Sequence, residues 1–518
     1  MWARRLIALA VGAAALLSAS SASASALERM AARGELRVCT SSDVKPVAFL
    51  SPSGEMEGFL PSLVVDLNDK MSAKVGKPLK LEIVRITPLN RIEFLNQGRC
   101  DLLLAAFLDT PARRKVIDFV EPGFYSSRAA LLAPQGHGLK TWSDLRGRTV
   151  CAPATSAWVR PYEERYGIRF ASYPTTQESK LAALKGLCSG LLMDDVIADS
   201  MVSSGTAPGF ESALPAQDAF AWGIGVRKGD PELKAALSQI VTGWHASGLV
   251  LDLERHWGLK ANPYAHGLGQ PAQAVSAPGH GLRSWLTARG VNLSFVWDPA
   301  DRARLVTGLG QTLMLAAVAI PGALAIGVLA VWLARLNTVA ERLVGGYVAV
   351  VRATPVLAQL YILYFGVGSL LGIGNGGGGS GPFLYAAAAL ALHYGALCAD
   401  ALRGAIDTVS GPLREAAASL GLTTRQQFTR VILPLGVRVA FPAIGNIAIQ
   451  VLKTTTVAYA IAVPELLYAA NRIWADNANA PETMAALFLL FLGLAGGLTM
   501  LLRSIERRIA VPGLANVH

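Results

Sequence analysis

Five long apolar segments in the C-terminal part of the chain constrain its fold more than any other feature. Each approaches the roughly 20 apolar residues that a helix needs to cross a bilayer. The composition agrees, because 52% of the residues are hydrophobic and only 16% are charged. We therefore predict an all-α polytopic membrane domain with five transmembrane helices, at 306–334, 343–370, 383–406, 439–462 and 483–503.

The first residues have the three parts of a secretory signal peptide. Arg4 and Arg5 precede a short apolar run, and Ala24-Ser25-Ala26 supplies small residues for cleavage. The pattern predicts a signal peptide at 1–26, and an uncleaved anchor is the alternative. In both cases the region that follows is exported.

Residues 27–260 have the alternating strands and helices of an α/β region with parallel sheets. The pattern occurs twice. Each unit opens with a strand that holds one cysteine, and each carries a second cysteine in a later Gly-x-Cys segment. We therefore expect two related lobes with a cleft between them. The cysteines are Cys39 and Cys100 in the first unit, and Cys151 and Cys188 in the second.

Several short motifs occur in order along this region: Leu36-Arg37-Val38, Asp43 with Pro46, Asn90-Arg91-Ile92, Thr110-Pro111-Ala112-Arg113 and Ile117-Asp118-Phe119. Together they resemble family 3, the amino-acid-type solute-binding proteins. The resemblance implies a two-lobed periplasmic binding protein fold (type II Venus flytrap) that closes on a small ligand. It places lobe 1 at about 27–132 and 218–260, and lobe 2 at about 133–217.

The same resemblance implies the ligand-binding residues. A free amino acid needs a planar cation for its carboxylate and an acid for its ammonium group. Arg113 matches the first position and Asp194 the second. Thr155 and Ser156 follow a strand where we expect a helix to begin, so that they can also bind the carboxylate. The remaining substrate-binding candidates are Asp43, Phe49 and Trp158.

Four positions depart from that family's pattern. They stand where the family has an aromatic residue, a threonine or an acid. The sequence therefore favours a small carboxylate-bearing ligand over an α-amino acid in particular. The four residues are Val44, Leu108, Ser62 and Ser189.

The four exported cysteines lie in an oxidising compartment if the signal peptide acts. Four cysteines allow three pairings, and we expect Cys39–Cys100 and Cys151–Cys188. Reduced, buried thiols in neighbouring strands are the alternative.

The Arg distribution sets the orientation of the spans. We expect residues 261–304 to form a Gly- and Pro-containing linker with an aromatic, interfacial end, 305–508 to form the membrane domain, and 509–518 to form a tail. Arg residues concentrate in alternate loops, which places those loops in the cytoplasm and the binding region outside. The net charge of +11 follows from this distribution, so we expect no nucleic-acid partner.

The cytoplasmic loop at 415–434 carries a recognisable pattern. Its apolar spacing predicts a helix that stops at Gly421, then a helix capped by Thr423 or Thr424 and ended by Pro434. The loop resembles the EAA loop of ABC importer permeases, and neighbouring motifs resemble the polar amino acid (histidine/glutamine type) permeases. The resemblance implies a coupling helix that docks on an ATPase subunit. The coupling candidates are Glu415, Ala416, Ala417, Gly421, Leu433 and Pro434.

A few polar residues fall in or beside the fourth span. Charges inside a membrane usually have a function, so we place Lys453, Thr455 and Glu465 on the translocation path. Lys453 could alternatively reach the interface or pair with Glu465 or Asp400. The seven histidines are scattered, and we expect no metal site.

Taken together, the two resemblances predict a fused substrate-binding and transmembrane subunit of an ATP-driven importer. We expect no catalytic residue and no cofactor bound directly, because no GxxxxGK[ST] motif occurs and ATP-Mg would bind a separate chain. The expected partners are a cytoplasmic ABC ATPase dimer, a second permease (the same chain or another) and a small-molecule substrate. A ligand-gated channel and a membrane-anchored enzyme or sensor are the rival interpretations.

Overall fold

The structure is a computed structural model that describes residues 25–41, 43–262, 286, 291–368 and 381–509, with the side chains of 43, 408–412 and 414 excepted. The expected signal peptide, most of the linker and the tail lie outside the described residues. The chain divides into two compact units. Unit 1 contains 1–128, 194–204 and 217–276; unit 2 contains 129–193, 205–216 and 277–518.

The exported region alternates strands and helices, as its hydrophobic pattern predicts. Its strands are β1 (Glu35–Thr40), β2 (Asp43–Val44), β3 (Ala48–Leu50), β4 (Met56–Glu57), β5 (Lys80–Arg85), β6 (Leu102–Leu103), β7 (Asp118–Phe119), β8 (Tyr125–Pro134), β9 (Thr149–Pro153), β10 (Arg169–Tyr173), β11 (Leu191–Asp194), β12 (Phe210–Ser212), β13 (Gln217–Trp222) and β14 (Gly225–Val226). Its helices are α1 (Ala26–Arg33), α2 (Phe59–Val75), α3 (Arg91–Asn96), α4 (Pro111–Arg114), α5 (Val159–Tyr166), α6 (Thr176–Leu184), α7 (Asp195–Ser203), α8 (Pro231–Ser247) and α9 (Leu249–His256).

Unit 1 is built on a five-stranded sheet of order β5-β1-β6-β14-β7. The pairs of β1 with β5 and β6 are parallel, whereas β14 runs antiparallel to both of its neighbours. The chain thus returns to this sheet late, through β14. Helix α2 buries one side, with Leu63, Leu67 and Met71 fully inaccessible to solvent. A small sheet, β2-β3-β4, belongs to the same unit.

Unit 2 contains the second lobe and the membrane domain together. The lobe's sheet has the order β10-β9-β11-β8-β12, so β10 and β12 are its edges. The pairs of β9 with β10 and β11 are parallel. A short 3-10 helix, Trp142–Leu145, precedes β9.

The membrane domain consists of helices joined by short connections over the described residues 291–368 and 381–509. Four helices are long and apolar enough to cross a membrane, and a bent pair makes up to five. The described helices are α10 (Ser294–Trp297), α11 (Pro299–Leu333), α12 (Thr338–Ala353), α13 (Val356–Tyr361), α14 (Gly381–Ser419), α15 (Thr424–Gln426), α16 (Leu433–Thr454), α17 (Leu466–Asn477) and α18 (Ala480–Ile509). Helix α13 continues as a π-helix over Ile362–Val367, α15 as one over Gln427–Ile432, and α16 as a 3-10 helix over Thr455–Ile461.

The second expected span, 343–370, is not one straight helix. Helices α12 and α13 meet at an angle of 108°. Pro355 stands at the break, and Thr354 before it is extended, with φ −115° and ψ 141°. A residue before proline is pushed out of the helical region, which explains the bend.

The loop around the EAA pattern also differs from the predicted helix–turn–helix. Its first helix is the end of the long α14, so it is continuous with the third span. Gly421 does stop the helix, with φ +74°, and Thr423 caps α15 with Gln426 in a capping box. Pro434 was wrongly expected to end the second helix, which runs on to Thr454. Pro434 follows the π-helical segment, where the regular hydrogen-bond ladder is already interrupted.

Candidate functional site

Arg113 of unit 1 is held by its local sequence. Thr110 accepts a hydrogen bond from the Arg113 backbone N–H at 3.4 Å, and Pro111 occupies the first position of α4. Such a start favours helix formation. The Arg113 side chain then lies inward and is only 4% exposed. A short capped helix therefore places a cation inside the protein.

The Arg113 guanidinium contacts the Phe107 ring and a backbone carbonyl. Its Nη1 donates to the Leu108 carbonyl oxygen at 2.7 Å, and its Cζ lies 4.5 Å from the centroid of the Phe107 ring. Arg91 contacts the same ring, at 4.6 Å. In the sequence Arg91 is recognisable only as part of a motif, and its place beside Arg113 was not predicted.

Burial dominates the electrostatics of Arg113. Burial and the nearby Arg91 charge lower the Arg113 pKa well below its usual value, while Asp194 and Asp109 act in the opposite direction. A buried guanidinium gains strongly from an arriving carboxylate, because charge-assisted hydrogen bonds offset the cost of its burial. Unit 1 therefore brings the two predicted ligand-binding charges, Arg113 and Asp194, into electrostatic contact.

Asp194 ends β11 and is oriented by two residues from distant parts of the chain. Its Oδ1 accepts a hydrogen bond from the Ser127 hydroxyl at 2.6 Å. Ser127 Oγ in turn accepts one from Trp222 Nε1 at 2.8 Å. Ser127 and Trp222 were both missed from the sequence, because nothing local marks them as partners of an acid.

The neighbouring Asp195 has a different role. It accepts hydrogen bonds from the Arg128 backbone N–H at 2.9 Å and from Arg128 Nε at 2.8 Å. Asp195 is thus engaged in a structural ion pair.

The other unit 1 candidates lie on the small sheet. Asp43 pairs with Phe49 across β2 and β3 through the backbone, and the Asp43 side chain lies outside the described atoms. The Phe49 ring is partly buried, with Trp257 edge-on at 6.0 Å and Lys45 Nζ at 4.9 Å from its centroid. Phe49 therefore has both an apolar and a charged neighbour. This environment is compatible with a wall of the ligand site and with a place in the protein core.

Unit 2 holds the remaining substrate-binding candidates, in a turn after β9. Thr155 is 7% exposed, Ser156 is partly buried and Trp158 is 1% exposed. Helix α5 begins only at Val159, so the expected helix start at Thr155 and Ser156 is wrong by a few residues. The Ser156 backbone N–H bonds the Pro153 carbonyl instead, at 3.0 Å.

Both expected cysteine pairs are disulfides in the structure. Cys39–Cys100 lies in unit 1 and Cys151–Cys188 in unit 2. In each, the opening strand of the lobe is tied to the segment just before a later strand. Cys398 is buried and free.

The three translocation-path candidates have unlike surroundings. Lys453 is exposed on α16, and Thr455 is fully buried with its hydroxyl on the Leu452 carbonyl at 2.7 Å. Glu465 caps α17 by accepting from the backbone N–H of Leu467 and Tyr468, both at 2.8 Å. Burial raises the pKa of Glu465 to about 8 against these hydrogen bonds.

The alternative ion pairs of Lys453 are not among the salt bridges of the described residues, in which Asp400 pairs with Arg352 at 2.5 Å. Among the same residues no cluster of His, Cys, Asp or Glu has the geometry of a metal site.

The EAA region presents a mixed surface. Ala417, Phe428 and Ile432 are buried, and the last two pack against Leu402 and Ile406. Leu420 at the tip is 81% exposed. The other coupling candidates are exposed or partly exposed: Glu415, Ala416, Gly421, Leu433 and Pro434.

Two family descriptions match this chain in succession. "Bacterial extracellular solute-binding proteins, family 3" matches residues 36–260, and "Binding-protein-dependent transport system inner membrane component" matches residues 323–511. The glutamine transport system permease protein GlnP of Escherichia coli is 30% identical over 40% of this chain and 93% of its own length. The chain belongs to the binding-protein-dependent (ABC) transport permeases.

Two further permeases are similar to part of this chain. The L-cystine transport system permease protein TcyL of Bacillus subtilis is 32% identical over 32% of this chain and 69% of its own length. The nopaline transport system permease protein NocM of Agrobacterium fabrum is 34% identical over 26% of this chain and 58% of its own length. The permease is therefore a multi-pass inner-membrane protein fused to an extracellular solute-binding domain.

Proposed function

We propose that this chain is the substrate-binding and transmembrane subunit of an ATP-driven importer for an amino acid or a related small carboxylate. The carrying observation is the juxtaposition of Arg113 and Asp194 in unit 1. A guanidinium suits the carboxylate of an amino acid, and a carboxylate held by a serine hydroxyl suits its ammonium group. The names of the related permeases, which refer to glutamine, L-cystine and nopaline, support this substrate class.

Each charged residue has a defined role in this proposal. Arg113 binds the ligand carboxylate, because its low exposure and the neighbouring Arg91 make a negative partner favourable there. Asp194 binds the ammonium group, and Ser127 with Trp222 keeps its carboxylate in position. The ligand then passes through the membrane domain.

A separate ATPase chain supplies the energy. This sequence contains no GxxxxGK[ST] motif, and the Glu415–Pro434 loop resembles the surface that binds an ATPase. The exposed side chain of Leu420 is a suitable apolar anchor for a groove on such a partner. We further propose an ATPase dimer and a second permease copy as partners, with ATP-Mg bound only on the ATPase.

Calorimetric titration of the full chain in lipid nanodiscs tests the substrate class. The panel contains L-amino acids and small dicarboxylic acids without an amino group. We expect saturable binding of at least one amino acid, and a loss of roughly 100-fold or more in affinity in Arg113→Ala. Arg114→Ala is the matched control, because Arg114 forms ion pairs with Asp109 and Glu121 at the surface.

Two results would contradict the proposal. If only dicarboxylic acids bound, Asp194 would have no ammonium group to bind, and the substrate would be a carboxylate without an amino group. Equal affinities in Arg113→Ala and the unmodified chain would place the anchor elsewhere.

A further inference from the structure

The second lobe contacts the membrane domain of its own chain within unit 2 through a set of specific polar interactions. Helix α5 and strand β10 supply the lobe's side, and α11 and α17 supply the membrane side. We call this surface the lobe-2 dock. Its defining residues are Glu163, Phe170 and Ser172 of the lobe, and Arg304, Tyr468 and Arg472 of the membrane domain.

Glu163 is the centre of the charged part of the dock. Its Oε2 accepts a hydrogen bond from Arg472 at 2.7 Å and one from Arg304 at 3.4 Å. The Arg472 side chain is only 6% exposed, whereas Glu163 is 28% exposed. Solvent and salt screen a partly buried pair much less than an exposed one. The Glu163–Arg472 pair therefore holds the lobe to the membrane domain more strongly than a surface ion pair would.

A second ion pair lies beside the first. Arg160, one helical turn before Glu163, donates to Asp298 at 3.0 Å and approaches Asp301 at 3.9 Å. Burial raises the pKa of Asp298, but the hydrogen bonds from Arg160 and from the backbone N–H groups of Ala300 and Asp301, together with the Arg160 charge, outweigh it and lower that pKa. The two pairs have opposite polarity, since the lobe contributes the cation in one and the anion in the other. Such an arrangement fixes the register of the contact.

Tyr468 of α17 closes the free edge of the lobe's sheet. Strand β10 is an edge strand, which normally exposes unpaired peptide groups. The Tyr468 hydroxyl accepts from the Ser172 backbone N–H at 3.1 Å and donates to the Phe170 carbonyl oxygen at 3.0 Å. One side chain thus takes the place of a neighbouring strand at this edge.

Aromatic residues extend the contact beyond the edge. The hydroxyls of Tyr173 in the lobe and Tyr364 in the membrane domain lie 3.2 Å apart, and both side chains are buried. The Tyr361 hydroxyl donates to Glu178 at the start of α6. The dock therefore combines two ion pairs, an edge-strand cap and buried hydroxyls.

We propose that the second lobe is permanently docked on the membrane domain of its own chain, independently of ligand. A lobe tethered to its binding surface has an effective concentration in the millimolar range or above, so a contact of this composition stays formed. Ligand binding then does not recruit the lobe; it acts on a lobe that is already in place. Permanent docking would affect how the proposed import cycle is regulated, and this regulatory role rests on the proposed function. The docked contact itself does not depend on the proposed function.

Hydrogen–deuterium exchange of the full chain in lipid nanodiscs, without added ligand, tests the proposal. The reporter is the peptide that covers Arg169–Tyr173, whose Ser172 amide bonds Tyr468. We expect protection of this peptide before ligand is added, and no change when L-glutamine or L-cystine is added. Tyr468→Phe removes only the hydroxyl, and should raise exchange at Ser172 roughly tenfold.

Charge variants provide the second arm. Glu163→Arg should increase exchange throughout β10, and the exchange of charges in Glu163→Arg with Arg472→Glu should restore protection. Glu211→Arg is the matched control, because Glu211 lies on β12, at the other end of the same sheet, and its side chain is 47% exposed. If Glu163→Arg fails to fold, Tyr468→Phe still decides the question.

Protection that appears only after ligand is added would overturn permanent docking. So would equal exchange in Tyr468→Phe and the unmodified chain. Because the decisive measurement uses no ligand, the proposal can fail while amino acid binding is established, and it can succeed while amino acid binding fails.

Discussion

The two lobes share a scaffold and differ in where they place their charges. Each has one disulfide that joins its opening strand to a segment before a later strand. In unit 1, Arg113 is buried at 4% exposure and interacts with Asp194. In the second lobe, Arg160 and Glu163 lie instead on the face that contacts the membrane domain.

This difference teaches that a repeated fold does not imply a repeated function. The cysteine pairs and the parallel strand pairs are common to both lobes. The charged residues differ: Arg113 and Asp194 in unit 1 suit a ligand, whereas Arg160 and Glu163 in the second lobe bind the membrane domain. The predictions below separate these contributions, and they run from the largest expected effect to the smallest.

Removal of either disulfide should destabilise the lobe that contains it. The paired cysteines are 61 residues apart in unit 1 and 37 apart in unit 2. The chain-entropy model gives roughly 4 kcal/mol for loops of these lengths. Thermal unfolding of the double Cys→Ser variants, followed by tryptophan fluorescence, measures the effect. Cys398→Ser is the control, and an unchanged midpoint for one pair would break the symmetry between the lobes.

The adjacent acids should separate ligand binding from stability. Asp194→Asn is expected to weaken amino acid binding by roughly 10- to 100-fold, because it removes the charge that would face an ammonium group. Asp195→Asn should lower the unfolding midpoint instead, since it breaks the ion pair with Arg128. Titration calorimetry and thermal unfolding of both variants distinguish the two. The reverse pattern would exchange the roles of the two acids.

A change at the EAA tip should leave ligand binding intact. Leu420→Asp places a charge where an exposed leucine would enter an apolar groove, and we expect roughly tenfold weaker ATPase association. Co-purification with the ATPase and ligand titration of the same variant provide both measurements. Leu420→Met is the control. A loss of ligand affinity in Leu420→Asp would contradict a separation between the two surfaces.

Glu465 should make unit 2 less stable as the pH rises. Its pKa is about 8 in the folded protein, against an ordinary value of 4.5. Between these values the folded state binds more protons than the unfolded state, so stability falls with increasing pH in that window. The unfolding midpoint of Glu465→Gln should therefore fall less between pH 6 and pH 9 than that of the unmodified protein, by roughly 5 °C. If the unfolding midpoints of Glu465→Gln and of the unmodified protein changed with pH in the same way, burial of Glu465 would not be the cause of the pH dependence.

Local sequence was sufficient for much of the architecture. The apolar lengths of the spans, the turn at Gly421 and the cap at Thr423 depend on residues close together in the chain, and their prediction is confirmed. Arg113 could be singled out because its Thr-Pro-Ala-Arg motif resembles family 3 solute-binding proteins, and the structure adds that the same Thr-Pro start caps its short helix. Local signals also misled: Pro434 was expected to end a helix, but it follows a π-helical segment and the helix continues beyond it.

By itself, the sequence determined which segments are apolar enough for a membrane, where strands and helices alternate, and which residues carry charge. Only the tertiary structure decided that Ser127 and Trp222 hold Asp194, and that Tyr468 closes the edge at Phe170, which is 298 residues away. The physical reason is that helix and turn signals act over a few residues, whereas a hydroxyl finds its partner through packing of segments that the sequence does not pair.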